Sequence, residues 1–400
     1  MGRLLKKQTV RDAMIGAALL CCTMALLCWP KAISAAVQEG LKLCYNVIIP
    51  SLFPFFILSS LMISLGLAGY LGRLFEPVMR PLFRLPGSCA AVLALGFVGG
   101  YPIGARSALT LYENGGCTKT ECERLLAFCN NSGPAFILGV VGAGVFADSR
   151  VGVLLCLIHG VASICVGLVF RFYGGREKGS GRRGSLPISA QRFSAAFTGA
   201  VKGSVTSTLN ICAFVMCFTV IIRLCVLSGI LPALAGLLGR LLAPLGFSEA
   251  WAQRLLTGLL ELSSGVWSLT GEGSLQGKAA MAAFLLGWAG ISVHCQVLSF
   301  LGESGLNTGT YIGGKLLHGV FSALLTALLF RFLPFDINVS GYLAQQVADI
   351  AGTDFHTALT VSVAAAWMGF LTAFLFAALG LKMRPKNSYG ACEKRRKVVS

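Results

Sequence analysis

Charge is what this chain has least of. Only 12% of its 400 residues are Asp, Glu, Lys or Arg, about half the share of a soluble domain. Acid is the scarcer sign: 16 Asp and Glu stand against 33 Lys and Arg, a net charge of +17. With 55% hydrophobic residues and a mean hydropathy of +0.76, there is too little polar surface to coat a soluble fold. That excludes a soluble enzyme or a disordered tail and makes the lipid bilayer the main solvent and partner. Catalytic signatures are also missing. There is no Gly-x-Ser-x-Gly, no His-Glu-x-x-His and no Walker A segment, so nothing supports an enzyme. The 15 cysteines lack metal-ligand spacing: Cys117, Cys122 and Cys129 form no Cys-x-x-Cys and have no nearby His. Most of the others lie inside apolar runs, where cysteine acts as a small hydrophobe. No metal and no cofactor is expected.

The basic residues that are present are placed rather than spread. Seventeen of the 33 lie in three short segments, 1–11, 171–192 and 382–400, each beside an apolar run. This is the positive-inside pattern. A nucleic-acid binder would instead string basic residues along a soluble face with aromatics between them, so no nucleic-acid partner is expected. Runs long enough to span a bilayer cover roughly 13–30, 44–66, 150–172, 204–230, 309–333 and 358–381. Two more, 123–146 and 279–300, are apolar but carry Asn, Ser, Gly or His. Two shorter stretches, 88–112 and 251–270, are broken by Gly and Pro or by a carboxylate, and read as re-entrant hairpins. The apolar core at 13–29 exceeds that of a signal peptide, so the first helix is read as uncleaved, with cleavage as the alternative.

Placing 1–11 in the cytoplasm puts the loop with Arg73, Arg80 and Arg84, the linker 173–192 and the C-terminal tail on the same side. The expected fold is an all-α polytopic membrane protein of about eight transmembrane helices plus two re-entrant or broken hairpins, with both termini cytoplasmic. The expected units are an N-terminal helix (1–40), a first repeat (41–172), a basic linker (173–200), a second repeat (201–333), and a connector, last helix and basic tail (334–400).

The repeat is read from matched strings. Leu71-Gly72-Arg73-Leu74 followed by Pro77 matches Leu238-Gly239-Arg240-Leu241 followed by Pro244. His159-Gly160-Val161 and Phe170-Arg171-Phe172 match His318-Gly319-Val320 and Phe330-Arg331-Phe332. The offset falls from 167 to 159 residues, which places an insertion near Glu113–Cys122 of the first half. Each unit reads as span, amphipathic connector, broken hairpin, span, span. The crossing parity makes the units inverted, an architecture of secondary transporters whose sites lie between the repeats.

Four segments carry chemistry. In Gly96–Ser107, Gly99 and Gly100 permit non-helical backbone, and Pro102 suits the first turn of a new helix. The second half-helix would point free N–H groups near Tyr101–Pro102 at whatever fills the gap, with Arg106 one turn inside. An arginine at membrane depth faces a partner or an anion; pairing with Glu113 is the plain alternative, as is close packing through the Gly96/Gly100 spacing. In Cys129–Pro134, the polar run Asn130, Asn131 and Ser132 with Gly133 makes a second break whose amides bind solute or join helices. The second half offers Glu261, Ser263 and Ser264 at one corresponding place and His294 and Gln296 at the other. Glu261 and His294 are candidates to hold or relay a coupling proton or sodium ion, and Gln296 stands beside them. His159 and His318 read as packing residues. The binding candidates are thus Gly99, Gly100, Tyr101, Pro102, Arg106, Asn130, Asn131, Ser132, Gly133, Ser263 and Ser264, and the ligand they suit is a small-molecule anion.

At Gly96-Phe97-Val98-Gly99-Gly100-Tyr101-Pro102-Ile103-Gly104-Ala105, at Glu121–Pro134 and at Gly290-Ile291-Ser292-Val293-His294-Cys295-Gln296-Val297, the chain resembles the YlbJ (SpoVV) family of sporulation integral membrane proteins. The resemblance covers most of 40–335. It belongs to the nucleoside-recognition gate group, whose members resemble halves of concentrative nucleoside carriers. The resemblance implies a transporter-like protein of the mother-cell-derived membrane around the forespore, with dipicolinate, a pyridine dicarboxylate, as cargo. A nucleoside or other polar-solute transporter and a non-transporting scaffold for spore assembly are the alternatives. The coupling ion and the oligomeric state, including a homo-oligomer, stay open.

Overall fold

The computed structural model describes residues 2–65, 77–175 and 193–332. Within them the protein is built from helices alone. The first half comprises α1 (Gly2–Cys28), α2 (Pro30–Leu43), a π-wound turn at Cys44–Ile48, α3 (Ile49–Ser64), α4 (Cys89–Gly99), α5 (Ile103–Glu113), α6 (Lys119–Cys129), the π-wound α7 (Ala135–Val145) and α8 (Ser149–Phe170). The second half comprises α9 (Phe193–Leu227), α10 (Ile230–Leu242), α11 (Glu249–Leu260), α12 (Leu262–Trp267), α13 (Leu275–Trp288), α14 (Gly290–Leu301) and α15 (Thr308–Phe332).

Side-chain caps fix where several of these helices begin. Thr118 and Glu121 form a reciprocal capping box at α6, satisfying two backbone donors that the helix leaves orphaned. Asp148 Oδ1 accepts from Arg150 N at 2.8 Å at the start of α8. Ser274 Oγ accepts from Gly277 N at 3.2 Å at the start of α13. These caps separate short helices that hydropathy alone would merge.

The two halves repeat one order: a long helix, a hairpin made of two half-helices, a broken helix, then an unbroken one. In the first half these are α3, α4/α5, α6/α7 and α8; in the second, α9, α11/α12, α13/α14 and α15, with the amphipathic α10 after α9. The two halves also meet one another. The rings of His159 and His318 stack with centroids 4.2 Å apart, and Cys44 Sγ lies 3.9 Å from the carbonyl oxygen of Cys212, 168 residues on. The Leu71–Leu74 copy of the repeat string lies outside the described residues, as do the linker 176–192, the last expected helix at 358–381 and the basic tail.

Among the described residues, four segments are long and apolar enough to cross a bilayer: Ser149–Phe170, Phe193–Leu227, Leu275–Leu301 and Thr308–Phe332. There are five if α1 and α2, bent by 95°, count as one. The expected number of eight is therefore not reached here. The run 44–66 is split by the π-wound turn, leaving α3 with 16 residues. The run 123–146 is split at Asn130–Pro134, and its two pieces are 11 residues each. Helix α9 begins at Phe193, so the end of the expected linker 173–200 is already helical.

The outward faces of the long helices carry large apolar side chains: Leu157 on α8, Leu209 on α9, and Leu324 and Phe332 on α15 are all more than half exposed. Water would penalise such faces; hydrocarbon does not. The hairpin α4/α5 is pressed onto the end of α6. A Cβ at Gly96 or Gly104 would overlap the Cys129 carbonyl oxygen, so the close-packing pair is Gly96 with Gly104 rather than Gly96 with Gly100.

Candidate functional site

Four helix breaks face one another, two from each half. In the first, α4 ends at Gly99, Gly100 takes φ +72°, and α5 starts after a cis Tyr101–Pro102 peptide. In the second, α6 ends at Cys129 and Asn130 is extended, with φ −94° and ψ 94°. In the third, one extended residue, Glu261 (φ −142°, ψ 123°), separates α11 from α12. In the fourth, Ala289 and Gly290 take φ of 82° and 80° between α13 and α14.

Together they line a partly open cavity of about 60 Å³. Each break contributes: Gly99, Gly100 and Tyr101; Ser132 and Gly133; Glu261 and Ser263; Ser292 and Gln296. Apolar walls come from α3 (Leu52, Phe56) and α9 (Phe214, Val215). Small-molecule sites commonly pair an apolar lining with a few placed polar groups. One of those groups is held in reserve: Ser132 Oγ is buried and has no hydrogen-bond partner among the described residues. A buried hydroxyl without a partner needs an explanation, and a bound solute or water in the cavity supplies one.

Glu261 is buried and caps the helix that follows it. Its Oε1 accepts from Ser263 N at 2.9 Å and its Oε2 from Ser264 N at 2.5 Å. Both carboxylate oxygens are thus committed to backbone donors, which lets a charged group sit among apolar neighbours. Ser264 itself does not line the cavity; its Oγ lies 3.4 Å from Thr219 Oγ1 of α9.

Behind the first two breaks runs a buried polar network. Lys315 of α15, 1% exposed, donates from Nζ to Tyr101 Oη at 2.8 Å and to the Asn130 carbonyl at 2.9 Å. Tyr101 Oη donates to the Leu286 carbonyl of α13 at 2.7 Å. Asn130 Oδ1 accepts from Ala105 N at 3.3 Å, and its Nδ2 lies 3.5 Å from Tyr311 Oη. His294 Nδ1 is 3.1 Å from the same hydroxyl, and its ring stands edge-on to Trp288. Asn131 donates to the Phe128 carbonyl at 3.0 Å, closing the end of its own helix. His159 Nε2 accepts from Ser132 N at 3.0 Å. It therefore holds the second break as well as packing on His318, a role that packing alone did not anticipate.

Gly99, Gly100, Tyr101, Ser132, Gly133, Glu261, Ser263 and Gln296 thus come together at the cavity. Asn130, Asn131, His294 and Ser264 stand behind it, and Pro102 opens α5 next to it. Arg106 is not brought in. It is exposed on α5, with its guanidinium 5.3 Å from the Phe300 ring of α14. Lys315 and Tyr311 were not singled out by the sequence reading. For Lys315 the signal was present, since a lone ammonium inside the apolar run 309–333 meets the same criterion that marked Arg106.

A family model described as "Gate: Nucleoside recognition" matches residues 46–174, the stretch from the π-wound turn through α8. Among solved structures, the fold is similar to CNTnw in an inward-facing substrate-bound state, with a TM-score of 0.53 and 14% identity over 80% of this chain and 86% of that one. Among curated proteins, the chain is 33% identical over 341 residues to the sporulation integral membrane protein YlbJ of Bacillus subtilis (strain 168), covering 80% of this chain and 83% of that protein. An integral membrane chain with that identity along most of its length belongs to the YlbJ family of sporulation integral membrane proteins.

Proposed function

We propose that the protein is a carrier that moves a small organic anion across the membrane around the forespore by alternating access, and that dipicolinate is its cargo. The two halves are inverted repeats that rock about the cavity, with both termini in the cytoplasm, and the protein is not an enzyme. The observation that carries the reading is the convergence of four helix breaks on one cavity. Half-helix ends supply free backbone groups there without side-chain charge.

An anion is favoured by Lys315. No acidic side chain among the described residues lies within 4 Å of it, so its positive field next to Tyr101 is not cancelled by an ion pair. At about 60 Å³ the cavity is well below the roughly 300–1,000 Å³ that encloses a drug-sized ligand. Entry of an aromatic dicarboxylate therefore requires the breaks to move apart, as alternating access demands. Glu261 and His294 are the groups placed to hold or relay a coupling ion.

The test is uptake of labelled dipicolinate into liposomes containing the purified protein. Uptake that Ser132→Ala weakens about tenfold and Glu261→Gln abolishes is the expected result; no uptake in either membrane orientation refutes the anion reading. The gate match and the uncharged polar lining at Ser132, Ser263, Ser292 and Gln296 favour a nucleoside as the second reading. Displacement of bound dipicolinate by uridine separates the two.

A further inference from the structure

We propose that the Lys315 ammonium is a tethered cation, filling from α15 the place between the first two helix breaks where a carrier of this architecture would otherwise hold a diffusible monovalent cation. The inference rests on the carrier reading.

A broken helix leaves carbonyl oxygens at its C-terminal end without intrahelical donors, at the negative end of its dipole. In carriers with discontinuous helices, such unwound carbonyls coordinate the driving cation. Here α6 ends at Cys129, and the extended backbone of Asn130 turns its carbonyl out of the helix. That oxygen meets Lys315 Nζ at 2.9 Å. The second oxygen, Tyr101 Oη at 2.8 Å, comes from the hairpin tip.

Oxygens from two separate elements thus converge on a positive charge delivered by a third. That charge is fully buried and, among the described residues, has no carboxylate within 4 Å. Dipoles and neutral oxygens solvate it without a counter-charge, as they would an alkali cation. A buried ammonium kept only for packing would be replaceable by an apolar side chain; here each of the two oxygens would lose its donor. Because the charge is covalently attached, it cannot be exchanged across the membrane, and this place cannot take up sodium.

The test needs no cargo, so failure of dipicolinate uptake would refute the carrier reading without deciding this one. The thermal midpoint of the purified full chain is measured in sodium, potassium and choline chloride at equal ionic strength. In a Glu261→Gln background, which removes the cavity's own candidate for holding a coupling ion, the protein with Lys315 in place is expected to unfold at the same temperature in all three. Lys315→Ala, which removes the tether and opens the space, is expected to unfold earlier in choline. Sodium or ethylammonium should then restore it in a saturable way by at least about 2 °C. Lys315→Met, which fills the space with an apolar chain, should be lowered and not restored.

A sodium-dependent rise in the Glu261→Gln protein with Lys315 in place overturns the proposal. So does a Lys315→Ala protein that matches that parent in choline, or one that ignores every small cation. If Lys315→Ala does not fold, Tyr101→Phe in the same background decides: with the tether in place it should lose stability equally in all three salts, and recovery by sodium overturns the proposal.

Discussion

Tyr101→Phe isolates two hydrogen bonds while leaving the ring that lines the cavity. The hydroxyl accepts from Lys315 Nζ at 2.8 Å and donates to the Leu286 carbonyl at 2.7 Å, so one oxygen joins the α4/α5 hairpin to α15 and to α13. A bond to a charged group contributes about 1.5–3 kcal/mol and a neutral one about 0.5–1.5 kcal/mol. Interhelical bonds in bilayers average nearer 0.6 kcal/mol, with about 1.7 at most, which holds the neutral bond to the low end. The expected loss is about 2–3 kcal/mol, roughly 30- to 140-fold in the folding equilibrium. Equilibrium unfolding in mixed micelles, with fraction folded followed against SDS mole fraction, measures it. The control is Tyr45→Phe, whose side chain is 75% exposed and which should stay within about 0.5 kcal/mol of wild type. A Tyr101→Phe loss under about 0.5 kcal/mol would refute the network as a structural tie.

Ser132→Ala removes a buried hydroxyl that has no partner. Its thermal midpoint should be unchanged or higher, while cargo affinity by equilibrium binding falls by about tenfold, near one lost hydrogen bond. Gly104→Ala would drive a Cβ into the Cys129 carbonyl and should destabilise by about 1–3 kcal/mol, read by thermal unfolding in detergent. Thr118→Ala breaks the capping box at α6 and should cost about 1 kcal/mol, with cargo affinity unaltered. Arg106→Ala should keep cargo affinity within about threefold, since the guanidinium stacks on Phe300 away from the cavity; a contact of that exposed kind contributes about 0.5–1 kcal/mol.

The breaks differ in how plainly the sequence announces them. Gly99-Gly100-Tyr101-Pro102 and Asn130–Pro134 interrupt apolar runs with residues that helices disfavour, and both are where the reading placed them. Glu261 was legible as a carboxylate in an apolar stretch. That it is itself the break, extended and bonded back to Ser263 and Ser264, depends on a side-chain conformation. The fourth break falls at Ala289–Gly290, three residues before the polar string at Ser292–Gln296. Trp288-Ala289-Gly290 carries no Pro and a single Gly, so the run 279–300 read as continuous. At Gly290 a Cβ would press on the backbone of Glu261 and Leu262, so the fourth break is packed directly against the third.

The sequence by itself determined the solvent, the all-helical class and the positions of three breaks. These follow from local causes: apolar run length, charge placement, and backbone angles that Gly, Pro and capping side chains allow. Only the tertiary structure decided which charges matter. Arg106 and Lys315 are each a lone cation in an apolar stretch, and nothing local distinguishes them. Packing turned α5 so that Arg106 faces outward onto Phe300, and set α15 so that Lys315 enters the space between two breaks. A helix exposes every side of itself until its neighbours are placed, so which side becomes the site is a property of the assembly.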